Sequence, residues 1–194
     1  MLTDIKHVLA QNPLWPGYDA AADFVAGTVG ELRWLERDAG LSHIGVNATE
    51  ATFAFDNEQP RHKHYLHDFS IASRCVTNGE YLQFIEDGGY QRPELWLSMG
   101  WDRVQQSAWK APLYWFSSDG DSWHEFTLGG LKGLDLSRPV THVSYFEADA
   151  YARWAAARLP TEFHWEDTSA DRDCCPGPSS HFADQLLESK QVIH

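Results

Sequence analysis

The chain has 194 residues, of which 43% are apolar, so it is long enough to bury the core of one globular domain. Its formal net charge is -13 and no lysine or arginine cluster interrupts the acidic composition, which excludes nucleic acid and anionic membranes as expected partners. Cys75, Cys174 and Cys175 lack the spacing of a metal knuckle or a disulfide framework, and the start at Met1 does not look like a signal peptide. We therefore expect a cytoplasmic protein.

Aromatic residues are the unusual part of the composition. Nine Trp, seven Tyr and ten Phe make up 13% of the chain. Because each aromatic side chain buries a large area, such a chain can fold around them with little regular structure. The composition predicts a loop-rich α+β domain.

The first residues have a helical pattern. Leu2, Ile5, Val8 and Leu9 recur at helical spacing, and Pro13 ends the pattern. A helix this short needs a partner for its apolar stripe. Because the stripe begins almost at the first residue, we expect it to be the end of a longer element.

Two further helices have clear start signals. Thr77 with Glu80, and Ser144 with Glu147, have the spacing of a capping box. The first helix is expected to end at Gly88 and to bury Tyr81, Leu82 and Ile85. The second is expected to end at Pro160, with one face formed by Phe146, Ala150, Trp154 and Ala157.

The other segments have weaker patterns. Residues 29–55 predict short strands and turns, and within residues 62–71 His64, Leu66 and Ile71 are expected to share one face of an extended segment. Residues 93–139 hold five tryptophans without periodicity and predict a long packed loop region. After residue 160 the pattern weakens.

Three nearby histidines suggest a metal site. On a strand His62 and His64 share a face, whereas His67 points away, which leaves two candidate ligands and no carboxylate at a suitable spacing. A solvated edge strand is the competing interpretation, and we favour it.

Other chemistry-bearing residues have simpler explanations. Turn and cap formation accounts for the carboxylates, which are Asp56, Glu58, Asp68, Glu86 and Asp87. Cys75 is expected to be a small buried apolar residue, and Ser144 a helix cap and not a nucleophile. The Gly88–Gly89 and Gly129–Gly130 pairs lack the features of a phosphate-binding loop.

Several segments, in one order, resemble the sulfatase-modifying-factor (formylglycine-generating-enzyme-like) domain. They are FAFDNE (53–58), PRH (60–62), VTNGEY (76–81), EDGGY (86–90), PVTHVSY (139–145), ADAYARWA (148–155) and RLPTE (158–162). Within that superfamily the chain is most similar to the ergothioneine-biosynthesis sulfoxide synthases, through LTDIKH (2–7), PELWLS (93–98) and APLYW (111–115).

This resemblance implies a C-type-lectin-like fold and a non-haem iron oxygenase. Such enzymes use O2 to join a cysteine thiol, from γ-glutamylcysteine or cysteine, to the imidazole of trimethylhistidine. An N-terminal helical bundle supplies three histidine ligands to Fe(II), the last of them just upstream of the segment that LTDIKH resembles. The resemblance therefore places the iron ligands outside this chain and makes the helical-bundle part a partner.

The expected domains are 1–22, the end of a helical bundle with its linker, and 23–194, a partial sulfatase-modifying-factor domain incomplete at its C-terminus. No catalytic, substrate-binding or metal residue is assigned, because the family's active-site tyrosine and thiol contacts lie beyond the position of His194. The alternatives are another formylglycine-generating-type factor and a non-catalytic binding or interaction module.

Two residues depart from the family pattern. His164 stands where the family has glutamate, which is expected to remove a capping box from Thr161 at a cost of up to about 1 kcal/mol. His64 occupies a position that is usually apolar in the family.

Overall fold

Short helices and small antiparallel sheets make up the chain in the computed structural model, which describes residues 2–19, 29–47, 54–117 and 122–169. The helices there are α1 (Leu2–Ala10), α2 (Asn78–Glu86), α3 (Ser98–Ser107), α4 (Tyr145–Trp154) and α5 (Glu162–Ser169). The strands are β1 (Trp34–Arg37), β2 (Gly40–Ile44), β3 (His62–Leu66), β4 (Phe69–Ala72), β5 (Trp115–Ser117), β6 (Trp123–Thr127) and β7 (Gly130–Gly133). This mixture confirms the predicted loop-rich α+β class. None of the described helices is long and apolar enough to cross a bilayer.

The strands pair antiparallel as β1 with β4, β2 with β3, and β5 with β6 and β7. In the β2–β3 pair Ser42 lies opposite His64. The extended segment predicted around residues 62–71 is thus two strands, and its Leu66 and Ile71 pack with Phe69 in a small core cluster.

Both predicted capping boxes are present, because a capping box depends only on residues three positions apart. At the start of α2 the Thr77 side chain accepts a hydrogen bond from the Glu80 backbone N–H, and the Glu80 carboxylate accepts from the Thr77 N–H. Ser144 and Glu147 do the same for α4. Gly88 adopts the left-handed conformation after α2, with φ of 75°, as expected.

The core is aromatic and lies between α2 and α4. Tyr81 stacks on Tyr151 with ring centroids 5.4 Å apart, and Phe84 contacts both rings edge-on. Tyr81 and Phe84 are the fully buried aromatic residues of α2, and Asn78 at its start is also buried. Leu82 and Ile85, predicted to be buried, are only partly so, because the helix turns its aromatic side inward.

Two predictions about longer segments were wrong. Residues 93–139 are not a continuous loop, since they contain α3 and the β5–β7 sheet. Their tryptophans do pack: Trp96 and Trp115 are buried, and others lie against the same core cluster. Helix α4 ends at Trp154 and not at Pro160, because Ala156 adopts a positive φ of 55° that stops the helix.

Other predictions lie outside the described residues. These are Cys174 and Cys175, and the boundary between 1–22 and 23–194, which falls among residues 20–28. The two-domain division stays a prediction.

Candidate functional site

Helix α1 contacts the rest of the chain through polar side chains. Lys6 is 8% exposed, whereas Ile5 and Val8 on the predicted apolar stripe are 48% and 69% exposed. The helix is therefore oriented opposite to an ordinary amphipathic surface helix. A lysine is seldom this buried unless specific partners hold it, so its surroundings are the first place to look for a site.

Lys6 contacts the imidazole of His142. The Lys6 Nζ atom lies 2.6 Å from the His142 Nε2 atom. Because an ammonium group only donates, Nε2 is the acceptor, and the proton of the neutral ring lies on Nδ1. Burial and the charge of Lys6 lower the pKa of His142 to about 3, which keeps the imidazole neutral.

Tyr114 contacts Lys6, His142 and also His7 of α1. Its hydroxyl oxygen is 2.9 Å from His7 Nδ1, its ring centroid is 4.8 Å from that of His142, and Lys6 Nζ lies 5.1 Å from the same centroid. Burial raises the pKa of Tyr114, so the phenol stays protonated. Lys6 thus makes both a cation–π contact with Tyr114 and a hydrogen bond to His142.

The backbone is strained at two members of this cluster. Tyr114 has φ of 74° and His142 has φ of 59°, in the left-handed region that side chains with a Cβ rarely adopt. Such residues cost about 1–3 kcal/mol each and concentrate at functional sites, where the surroundings hold them in place. Here both strained residues contact Lys6.

A buried carboxyl completes the cluster. Glu125 of β6 is 7% exposed, and burial raises its pKa, while attraction to Lys6 and Arg138 acts in the opposite direction. We refer to Lys6, His7, Tyr114, Glu125 and His142 as the α1 cluster. Its contacts fix the orientation of α1, because Lys6 and His7 of the helix both bond to side chains of the domain.

The histidines predicted as candidate ligands have packing roles. His62 and His64 both face the Phe163 ring, at centroid distances of 6.3 and 4.2 Å, which confirms that they share a face. His67 lies instead edge-on to Tyr65. Both imidazoles of this pair therefore pack against the Phe163 ring.

The other candidates behave as turn, cap or packing residues. Ser144 caps α4, and Glu58 accepts a hydrogen bond from the Phe55 backbone N–H in a one-turn helix. Asp87 accepts from the Trp154 indole N–H at 2.8 Å, so it links the end of α2 to α4. Cys75 is partly buried, less so than predicted.

An iron ion does not fit the residues that the structure describes. Among them, no three His, Cys, Asp or Glu side chains form a group able to hold a metal ion. The best-placed imidazole nitrogen, His142 Nε2, accepts from an ammonium group, and that positive charge would repel a ferrous ion.

The α1 cluster was not predicted from the sequence. Lys6 and His142 are 136 positions apart, and no local pattern reports a contact between them. Both nevertheless lie in segments that carry the family resemblance, LTDIKH and PVTHVSY. Their place in these segments was the sequence feature that could have drawn attention to them, although it indicates neither the contact nor the positive φ values.

Comparisons with known proteins agree with the resemblance. The sulfatase-modifying factor enzyme 1-like domain matches residues 38–175. Hercynine oxygenase of Mycobacterium tuberculosis is 43% identical over 127 residues, which are 66% of this chain and 29% of the relative. Ergothioneine biosynthesis protein 1 of Schizosaccharomyces pombe is 30% identical over 161 residues, or 79% of this chain and 18% of the relative. Formylglycine-generating enzyme of Streptomyces coelicolor is 34% identical over 123 residues, which are 57% of this chain and 38% of the relative.

Two facts follow from these matches. The chain spans less than a third of the length of the M. tuberculosis hercynine oxygenase. The matched domain includes Tyr114, Glu125 and His142 but begins after α1, so Lys6 joins the domain to the segment that precedes it. With its helices and small antiparallel sheets arranged as in a C-type-lectin-like fold, the chain belongs to the sulfatase-modifying factor enzyme 1-like family.

Proposed function

We propose that this chain forms part of an iron-dependent sulfoxide synthase of ergothioneine biosynthesis. The observation that carries the proposal is the 43% identity to a protein named hercynine oxygenase. The similarity to a protein named for ergothioneine biosynthesis, over 79% of the chain, supports the same pathway.

The proposed reaction joins a thiol to an imidazole ring. The substrates are a cysteine thiol, free or in γ-glutamylcysteine, and trimethylhistidine, with O2 as the oxidant. The S–H bond and a ring C–H bond break, and a C–S bond and an S–O bond form. One oxygen atom enters the sulfoxide and the other leaves as water with the two hydrogens, so the two substrates lose four electrons and O2 gains them.

The α1 cluster supports a positioning role for the domain in this reaction. Lys6, held by His142 and Tyr114, fixes the direction of α1 against the sulfatase-modifying factor domain. The resemblance places the last iron ligand just upstream of the segment that α1 occupies. A fixed α1 would therefore hold that ligand in a constant place relative to the domain that binds substrate.

The iron ligands are proposed to come from outside the described residues. The domain would act with a helical-bundle part, and the small-molecule substrates would bind where the two meet. The chain alone would then be inactive. Its acidic charge supports neither nucleic acid nor an anionic membrane as a partner, and a reducing cytoplasm is the compartment that its cysteines suit.

A second candidate is a formylglycine-generating activity on a cysteine-containing peptide. The 34% identity to the S. coelicolor enzyme favours it. The cysteine pair of such enzymes would normally lie beyond the end of this chain, and Cys174 and Cys175 are adjacent, so we rank it lower. A non-catalytic module is the remaining alternative.

Anaerobic titration with Fe(II), followed by assay, tests the proposal. The purified chain is given trimethylhistidine, γ-glutamylcysteine or cysteine, and O2, and the sulfoxide is sought by mass spectrometry. We expect no tight iron binding and no product from the chain alone. Product is expected when the helical bundle of a sulfoxide synthase is fused before α1 and the segment that completes its sulfatase-modifying-factor domain is fused after residue 194.

Each other outcome has a defined meaning. Stoichiometric tight iron binding or turnover by the chain alone would overturn the placement of the ligands. Oxidation of a peptide cysteine to formylglycine, without sulfoxide, would favour the second candidate. Neither product in the fused protein, with the fold intact by circular dichroism, would leave the non-catalytic module.

A further inference from the structure

The first turn of α5 is closed by a histidine in the place where the other capped helices use a carboxylate. The Thr161 backbone N–H donates to His164 Nδ1 at 3.2 Å, and the His164 backbone N–H donates to the Thr161 Oγ1 atom at 3.4 Å. The Thr161 hydroxyl also contacts His164 Nδ1. This reciprocal pattern is that of a capping box, and the predicted loss of the box at Thr161 is therefore wrong.

The same chain offers two internal comparisons. In α2 and α4 the third helical residue is Glu80 or Glu147, whose carboxylate accepts the equivalent backbone N–H at 2.9 and 2.7 Å. A carboxylate accepts at any pH above its own pKa. An imidazole nitrogen accepts only while it carries no proton, so the α5 cap depends on pH near the ordinary histidine range.

The charges around His164 favour the neutral ring. The Arg158 Nη2 atom lies 3.4 Å from His164 Nε2, His64 of β3 adds a further imidazole, and β4 presents the uncharged ring of Phe69 edge-on. Burial, Arg158 and His64 lower the pKa of His164, and Asp167 of the same helix opposes them. A neutral ring that accepts the Thr161 N–H at Nδ1 carries its proton on Nε2, so Arg158, which can only donate, acts on this ring through its charge and not through a hydrogen bond.

Helix α5 builds one wall of a groove of about 370 Å³ beside β2. The Ser42 hydroxyl donates to the Asp167 carboxylate at 2.5 Å, and the Gly45 backbone N–H donates to the Glu166 carboxylate at 2.6 Å. Leu41, His43 and Arg61 line the rest of the groove. Any loosening of the first turn of α5 thus reaches the groove through Glu166 and Asp167.

We propose that His164 is a pH-sensitive helix cap, and that its protonation at mildly acidic pH opens the first turn of α5 and loosens this wall of the groove. The direction in which stability changes with pH follows from the difference between the folded and unfolded pKa of His164. A histidine whose folded pKa lies below its unfolded value of about 6.5 stabilises the fold fully above 6.5. That stability is lost as the pH falls through 6.5 toward the folded pKa.

Amide hydrogen exchange and NMR titration of the whole chain test the proposal. The amide of Trp165 reports the first turn, since it donates to the Thr161 carbonyl at 3.1 Å. Between pH 7.5 and 5.0 its protection, corrected for intrinsic exchange, is expected to fall by about tenfold for each unit by which the folded pKa lies below 6.5. The imidazole of His164 is expected to titrate below 6.5.

The variant His164→Gln separates the cap from general acid effects. A glutamine side chain can accept the Thr161 N–H at every pH in this range, so the protection of Trp165 should become independent of pH. His67→Gln, at an exposed histidine outside α5, should keep the wild-type profile. Equal profiles for wild type and His164→Gln, or a His164 pKa at or above 6.5 in the wild type, would overturn the proposal.

Discussion

The Nζ atom of Lys6 lies 2.6 Å from Nε2 of His142 and so ties α1 to a domain whose family match begins only at residue 38. The contact buries an ammonium group that water would otherwise solvate. Replacing Lys6 is informative because it should change both the free energy of unfolding and the pKa of His142.

Lys6→Met removes the donor while keeping most of the side-chain volume. It leaves His142 Nε2 without its Lys6 hydrogen bond, and the expected cost is about 1–3 kcal/mol of unfolding free energy in urea. The pKa of His142 should rise from about 3, because the charge of Lys6 is one of the two causes that lower it. It should stay below 6.5, since burial is the larger cause.

The pH profile gives an independent reading of the same variant. The wild-type chain gains stability from His142 as the pH rises from about 3 to 6.5. In Lys6→Met the folded pKa of His142 is higher, so this gain should begin at a higher pH and be smaller. Lys110→Met, at an exposed lysine, is the matched control and should alter neither quantity. An unchanged His142 titration in Lys6→Met would show that the lysine does not act on this ring.

The features that could be predicted from the sequence alone are those decided by residues close together in the chain. The boxes at Thr77 and Ser144 were predicted correctly because a capping box is decided within four residues. Helix α3 begins without a side-chain cap, and β5 has three residues, so neither has a pattern that stands out. Lys6 and His142 meet only after the whole domain has folded.

The predicted loss of the α5 cap failed for a different reason. The family pattern identified His164 as a departure, and the expectation treated a missing carboxylate as a missing acceptor. A neutral imidazole has one acceptor nitrogen, and the structure uses it. A capping box needs an acceptor lone pair at the third helical position, and a neutral imidazole supplies one as a carboxylate does.

A buried hydrogen-bonded network in the core predicts a second mutational effect. The Tyr90 hydroxyl donates to the Glu147 carboxylate at 2.6 Å and lies 3.2 Å from the Tyr81 hydroxyl. Tyr90→Phe leaves one oxygen of a buried carboxyl without this donor, which should cost about 1–3 kcal/mol in thermal or urea unfolding. Tyr145→Phe, at a tyrosine that is 59% exposed, should be nearly neutral.

The cost of Tyr90→Phe should depend on pH. Burial raises the pKa of Glu147, and the hydrogen bond from Tyr90 partly offsets this, so the variant should raise that pKa further. A carboxyl with a raised folded pKa stabilises the fold least when it is charged. The deficit should therefore be largest at neutral pH and shrink as the pH falls through the folded pKa; a deficit constant from pH 7 to 4 would contradict this account.

Close packing of α3 on α4 predicts the effect of one added methyl group. A Cβ at Gly100 would lie 2.7 Å from the Phe146 Cβ, in a contact that neither helix can relieve by a side-chain rotation alone. Gly100→Ala should cost about 1–3 kcal/mol, even though alanine favours a helix more than glycine does. Gly133→Ala meets nothing within 4 Å and is the control. Equal melting temperatures for the two variants would mean that the helices separate easily.

The outward face of α1 predicts concentration-dependent association. Ile5 and Val8 on α1 are 48% and 69% exposed, and Leu14, in the turn that follows the helix, is 85% exposed. Because burying a valine side chain is worth about 1.5 kcal/mol or more, we expect purified chains to associate through this face. Light scattering coupled to size exclusion should show a mass that rises with concentration.

Val8→Glu should weaken association by about tenfold, the equivalent of 1.4 kcal/mol. Leu131→Glu adds the same charge on β7, at a leucine that is 41% exposed, and should leave association unchanged. If both variants weaken it equally, net charge is the cause, and if the wild type stays monomeric, the face does not bind a second chain.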